Sequence, residues 1–424
     1  MDRTRFEPIA EPLAQLAAEE FTPRFGEAPG GTADQPRWQR LRDAGTEVWF
    51  DTGDLDAIAR RWTRQCSAVT TNNTLLNKEV QKGQYDALVR RAAELVRRHL
   101  GDGVDERRLL LEIAFVLNAR HALRLVEAFD AHVSVEEHTD LAQDPEGALA
   151  FARRFYAICP QRFYVKIPLT PAGLIAARRA HDEGIPVNLT LGFSARHNYL
   201  AARFARPAFV NVFLGRLNAF VADNGLGDGD LVGERAVLAS QEVVRALRRR
   251  PGEGSRQIGA SIRNGRQVET LAGLDVITMP TGAADEFLDL PAPDLRPRHA
   301  GDLTVKLNDG VDPRAVALET LWEVPEELER ACDELDRRDP AELGPGTLVE
   351  VLARHGVSDL LVAWTQEDVR ASREEGKIPG LERWGRDLAG GRAGLDALMN
   401  LAGLNSFVTD QQAMDERVAR VLRS

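Results

Sequence analysis

Cysteine is scarce in this 424-residue chain: Cys66, Cys159 and Cys332 stand far apart and are odd in number. No pair of them has a metal-ligand or redox spacing, which excludes a disulfide scaffold and a C-x-x-C centre. They read as buried, reduced thiols of a cytoplasmic protein. Long apolar runs are missing too. Nothing approaches the ~18 residues that a membrane span needs, and the opening MDRTRFEPIAEPL lacks the apolar centre of a signal peptide. Positive charge is in deficit, with 54 Lys+Arg against 65 Asp+Glu and a net charge of −11. Such a field repels nucleic acid and anionic membrane, so neither is expected as a partner. Any phosphate ligand then needs a local cationic patch. Lysine is rare as well. Lys78, Lys82, Lys166, Lys306 and Lys377 are the full set, so each can be judged by its own surroundings. No cluster has metal-ligand spacing, and neither a metal nor another cofactor is expected.

What is present is rhythm. From residue 47, short β-rich apolar runs alternate with amphipathic stretches, as in consecutive βαβ units. The runs are EVWFD (47–51), AVTTN (68–72), HVSVE (132–136), FYVKIP (163–168), VNLTLGF (187–193), FVNVFLG (209–215), QIGAS (257–261) and DVITMP (275–280). They lack the polar alternation of a one-sided sheet, so they fit strands covered on both faces. Pro145, the Thr170-Pro171 pair and Ser194 mark helix starts, and Gly184 marks a stop. Eight repeats predict an α/β fold, a closed (β/α)8 TIM barrel. An open doubly wound sheet is the rival, weakened because no G-x-G-x-x-G turn follows the first strand. Three parts are expected. Residues 1–37, with PGGTADQP at 29–36, form an irregular N-terminal extension with a short helix. Residues 38–290 form the catalytic barrel. Residues 291–424, after a Pro-rich boundary over 283–303, form a mostly helical region packing on the barrel. Helical periodicity there covers 312–336, 346–355, 382–400 and 411–423, and the apolar content of 401–424 suits either a cap on the barrel or a homodimer face.

Barrel enzymes carry their chemistry at the C-terminal ends of the strands. Read off those ends, the candidates are Asp51, Asn72, Glu136, Lys166, Asn188, Thr190, Phe213, Arg216 and Arg263. Lys166 is central. It sits in the middle of an apolar strand, where a lysine is rarely found unless paired or used. A desolvated amine sheds its proton more readily and can attack a ketone, forming an imine that acts as an electron sink. Lys306 in LTVKLND has similar flanks but lies outside the rhythm and is read as structural. Asp51 and Glu136 are carboxyls able to move protons. Asn72, Asn188 and Thr190 offer neutral hydrogen bonds for sugar hydroxyls or an ordered water. Arg216 and Arg263 follow the sixth and seventh strands, where forked guanidinium groups suit phosphate oxygens.

In chain order, DTGD (51–54), TTNNT (70–74), VSVEE (133–137), VKIP (165–168), VNLTLGFS (187–194), VFLGR (212–216) and GASIRN (259–264) resemble the strand-end motifs of the transaldolase family. The resemblance implies a class I enzyme of pentose-phosphate metabolism. It would move a dihydroxyacetone unit from a ketose phosphate, fructose 6-phosphate or sedoheptulose 7-phosphate, to an aldose phosphate. By the same resemblance Lys166 forms the Schiff base and Asp51 is the acid/base at the cleaved bond. Glu136 and Thr190 hold a relay water. Asn72 and Asn188 hold the donor, and Arg216 and Arg263 hold phosphate. Asn73 replaces a proline, Asn211 a phosphate-binding serine, Val212 a proline, and Glu137 an apolar residue. A biosynthetic transaldolase with altered substrates, a dihydroxyacetone-releasing aldolase and a non-catalytic barrel are the alternatives. Phe213, where releasing members tend to carry tyrosine, favours transfer.

Overall fold

The computed structural model describes residues 7–23, 25–26, 34–248, 254–339 and 342–424. Of the expected irregular stretch 29–36, residues 29–33 lie outside the described residues, and Pro36 opens a helix, Pro36–Asp43. Eight parallel strands close into a barrel in chain order. They are β1 (Glu47–Asp51), β2 (Cys66–Thr70), β3 (His132–Glu136), β4 (Phe163–Pro168), β5 (Val187–Thr190), β6 (Phe209–Phe213), β7 (Arg256–Ala260) and β8 (Val276–Met279). Closure comes from β1 pairing with β8. The strands are buried on both faces, as their unbroken apolar composition requires.

Side chains alternate across each strand, so every second residue enters the barrel. Trp49, His132, Tyr164 and Phe209 fill its lower interior with rings. Trp49 meets Phe209 edge-on at 4.8 Å, and His132 stacks on Tyr164 at 4.9 Å. Two residues further along the same strands come Asp51, Ser134, Lys166 and Asn211. Aromatic rings thus floor the barrel, and polar groups occupy the level above.

Several boundaries differ from the sequence reading. β2 begins and ends two residues early, so Asn72 is not on a strand. It caps the Asn73–Gln81 helix, its Oδ1 accepting from the Leu75 amide at 2.8 Å. β5 stops at Thr190. β6 stops at Phe213, and Arg216 lies in the first turn of the Leu214–Asp223 helix. The stretch read as a boundary is helical over Thr281–Asp289. In the C-terminal region a helix over Gln366–Glu375 was not anticipated. The expected 382–400 and 411–423 segments are a Leu381–Ala389 helix and one unbroken Leu395–Arg423 helix.

That last helix lies across the C-terminal mouth of the barrel, against the Asn73–Gln81 and Asp86–Leu100 helices. Asn400 donates to the carbonyls of Leu169 (2.9 Å) and Leu191 (2.8 Å), just past β4 and β5. Fully buried Asp396 accepts from Ser194 Oγ (2.6 Å) and from Arg196 (2.7 Å). From within 401–424, Phe407 reaches the wall of the cavity at that mouth. The three cysteines are buried and free. Among the described residues no helix is long and apolar enough to cross a membrane.

Candidate active site

At the mouth lies a cavity of about 210 Å³. Its walls include Asp51, Asn72, Lys166, Asn211, Phe213, Arg216 and Arg263, seven of the residues singled out in the sequence. Glu136, Asn188 and Thr190 stand beside Lys166 in the strand register but do not line the cavity. Glu136 and Asn188 are its direct partners on β3 and β5, and Thr190 is opposite Pro168.

Lys166 is 4% exposed. Its Nζ donates to the Thr71 carbonyl at 3.0 Å and lies 3.9 Å from Glu136 Oε2. An amine so buried, with one neutral acceptor and one nearby carboxyl, keeps an unfilled side toward the cavity. Burial raises the Asp51 carboxyl above its ordinary value, although the Lys166 charge and a 2.9 Å hydrogen bond from Thr70 Oγ1 pull it back. Burial likewise lifts Glu136 to about 7, against the pull of Lys166 and of the Asn73 amide, which donates to Oε2 at 3.1 Å. Two carboxyls, both raised by burial, thus stand near one amine, and Glu136 is poised to exchange protons near neutrality. The Thr190 hydroxyl is fully buried with no protein partner among the described residues. A buried hydroxyl in that state needs water or ligand.

The asparagines behave differently from one another. Asn188 donates to Ser134 Oγ at 2.8 Å, and its Oδ1 accepts from Asn211 Nδ2 at 2.6 Å. Asn211 Nδ2 also donates to the Leu189 carbonyl at 2.8 Å. Its amide hydrogens are committed inside the wall and are not offered to an anion.

The cationic end is built around Arg216, 6% exposed and with Nη1 unpartnered. Burial, with the Arg263 charge alongside, pulls its guanidinium down to about 10. A cation that has lost water without gaining a partner favours an anion. Arg263 reaches the same wall from beyond β7. Gly215 makes room for it: a Cβ there would lie 2.8 Å from Arg263 Nε and 2.2 Å from the Ser261 carbonyl. Leu191 and Ser261 leave β5 and β7 with left-handed backbones (φ 63° each), a strain common where a scaffold aims functional groups.

Among the wall residues that the sequence reading did not single out, two come from the C-terminal region. Phe407 lies with its ring centroid 5.8 Å from Lys166 Nζ and 5.8 Å from Arg216 Cζ. Lys377, exposed and without an ion-pair partner among the described residues, adds a third cation. Its turn is anchored by Asn224, which donates to the Pro379 carbonyl (3.1 Å) and accepts from the Leu381 amide (2.8 Å). No local pattern marked either residue. Only the scarcity of lysine pointed at Lys377.

A sequence model of the family described as Transaldolase/Fructose-6-phosphate aldolase matches residues 48–335. A transaldolase of Xanthomonas campestris pv. campestris is 34% identical over 254 residues, 58% of this chain and 76% of that protein. One from Prochlorococcus marinus subsp. pastoris is 29% identical over 271 residues, 62% and 77% of the two chains. One from Trichormus variabilis is 27% identical over 255 residues, 59% and 75%. With the family match spanning most of the closed barrel and of the chain, this protein belongs to the transaldolase/fructose-6-phosphate aldolase family.

Proposed function

We propose that the protein is a class I transaldolase that transfers a dihydroxyacetone unit between sugar phosphates through a Schiff base on Lys166. The observation that carries this reading is the buried Lys166 amine, with Glu136 behind it on β3 and Asp51 on the wall of a cavity that ends in cations. The amine adds to the ketone carbon of the donor and water leaves. The protonated imine then takes up the electron pair of the C3–C4 bond while Asp51 removes the C4 hydroxyl proton. An aldose phosphate departs. The three-carbon enamine on Lys166 attacks the acceptor aldehyde, the proton returns from Asp51, and water hydrolyses the imine. Glu136 and Thr190 hold the water that moves protons to and from the imine nitrogen. Asn188 and Asn72 hold donor oxygens, Phe213 and Phe407 keep the reacting carbons dry, and Arg216, Arg263 and Lys377 bind phosphate.

Asn211 favours a second reading within the same chemistry. Its amide hydrogens are engaged by Asn188 and Leu189, so the anion site is not assembled on β6 as the family motif implies. Lys377, from the C-terminal region, joins Arg216 and Arg263 on the same wall, which fits a transaldolase with an altered sugar phosphate. Borohydride reduction in the presence of fructose 6-phosphate, followed by peptide mass spectrometry, tests both. An adduct on Lys166 is the expected result. No adduct with this ketose but one with another supports the second reading. No adduct with any ketose overturns the first and the second.

A further inference from the structure

Glu136 does not stand alone among the strand-end groups. Its Oε2 faces the start of the Asn73–Gln81 helix and accepts the first backbone amide of that helix, Asn73 N, at 3.1 Å. The same oxygen lies 3.9 Å from Lys166 Nζ. Oε1 does not take part in that amide bond. On the other side of the helix start, Asn72 caps the Leu75 amide, so the two carbonyl-type oxygens of Asn72 and Glu136 share the free amides of one helix end. A carboxylate there also meets the positive end of the helix dipole. Asn73 itself is fully buried and its Nδ2 reaches the Glu137 carbonyl at 3.4 Å. A proline, the residue that the related motif carries at this place, has no N–H to give.

We propose that the Asn73 backbone amide is a positioning group for Glu136, pinning Oε2 beside the amine so that Oε1 is presented to the relay water against the unpartnered Thr190 hydroxyl. The inference rests on the proposed role of Glu136. The charged and titratable groups around that carboxyl are Lys166 on β4, Asp51 on β1 and Glu137, the residue just past the end of β3. The Asn73 hydrogen bond favours the ionised form, and Asp51 opposes it. If the relay needs ionised Glu136, the rate rises with pH through its titration. Removing the N–H moves that rise to higher pH.

The test compares Asn73→Pro with Asn73→Ala. The Asn73 position is the first of its helix and Asn72 is extended (φ −156°, ψ 171°), so proline fits the backbone of the turn, while its Cδ takes the place of the amide hydrogen and displaces Glu136 Oε2 from it. Alanine keeps the N–H and loses the side-chain bond to Glu137, which isolates the amide. The acid limb of kcat/KM for Asn73→Pro is expected to move up by roughly one pH unit relative to Asn73→Ala. Identical limbs in the two variants overturn the proposal. In the unaltered protein, the Asn73 amide proton should shift on titration with the same midpoint as the Glu136 carboxyl in NMR spectra. An amide signal that stays fixed through that midpoint overturns it without any variant. Failure of borohydride trapping on Lys166 would instead count against the proposed reaction, because the NMR titration of the Asn73 amide does not depend on an imine.

Discussion

Lys166 and Phe407 face each other across one cavity, 5.8 Å from amine to ring centroid, yet they reach it by different routes. Lys166 is held by a ladder. Its backbone pairs with Glu136 on one side and Asn188 on the other, and a one-residue slip would turn all three out of the barrel. Phe407 is held by packing of a long helix whose anchors are side chains, Asn400 and Asp396 among them. Groups that must meet within hydrogen-bond distance sit on the rigid wall. Groups that cover the site or add charge come from the segment laid over it. The barrel should therefore determine whether the reaction runs, and the C-terminal region which substrate it prefers.

The sharpest break would come at the ladder. Lys166→Ala should reduce turnover to background while circular dichroism shows an intact fold. Full activity in that variant would remove the chemical role of the barrel wall. Glu136→Gln should slow turnover by about 10²–10⁴-fold yet still yield a trapped imine, since the amine is untouched. Glu136 titrates at about 7, so the rise of rate through that pH should vanish in the glutamine variant. A pH profile identical to the parent would move the relay elsewhere. On the other side of the comparison, Lys377→Ala should lower kcat/KM for fructose 6-phosphate by about tenfold at low salt, mainly through KM, and Lys377→Arg should recover most of it. A loss confined to kcat would assign the C-terminal region a part in the chemistry.

The smallest effect concerns stability. Glu137 is buried with neither carboxyl oxygen partnered among the described residues, and burial, with Glu136 and Asp144 nearby, holds it well above the ordinary carboxyl value. A carboxyl raised on folding contributes most below its unfolded value near 4.5 and loses that contribution as pH rises through its folded value. Glu137→Gln should then match the parent near pH 4 and melt a few degrees higher near pH 8. A melting difference that does not grow with pH would indicate an unseen partner for Glu137.

The barrel was legible because doubly buried strands must be written as continuous β-rich runs, and eight such runs recur with helix caps between them. VKIP could be read because a charged residue inside an apolar strand is costly enough to be conspicuous. The C-terminal helix was not read whole because residues 401–407 are packed on several faces, with Leu401, Ala402 and Phe407 all buried, which removes the one-sided period. Asn72 was misplaced by two residues because TTN continues the β-rich composition past the last paired residue. Asn211 shows a different limit. Its identity was evident, but whether its amide faces a ligand or the wall depends on Asn188 across the sheet.

The pairing of β1 with β8 has a consequence for how the chain comes into being. During synthesis β1 emerges early and can meet β2 at once, but its other edge has no partner until Met279 has been made. At ~5–20 residues per second that wait lasts roughly 10–50 s. Throughout it Val48, Trp49 and Phe50 present an open, apolar strand edge, a template for pairing with a neighbouring nascent chain.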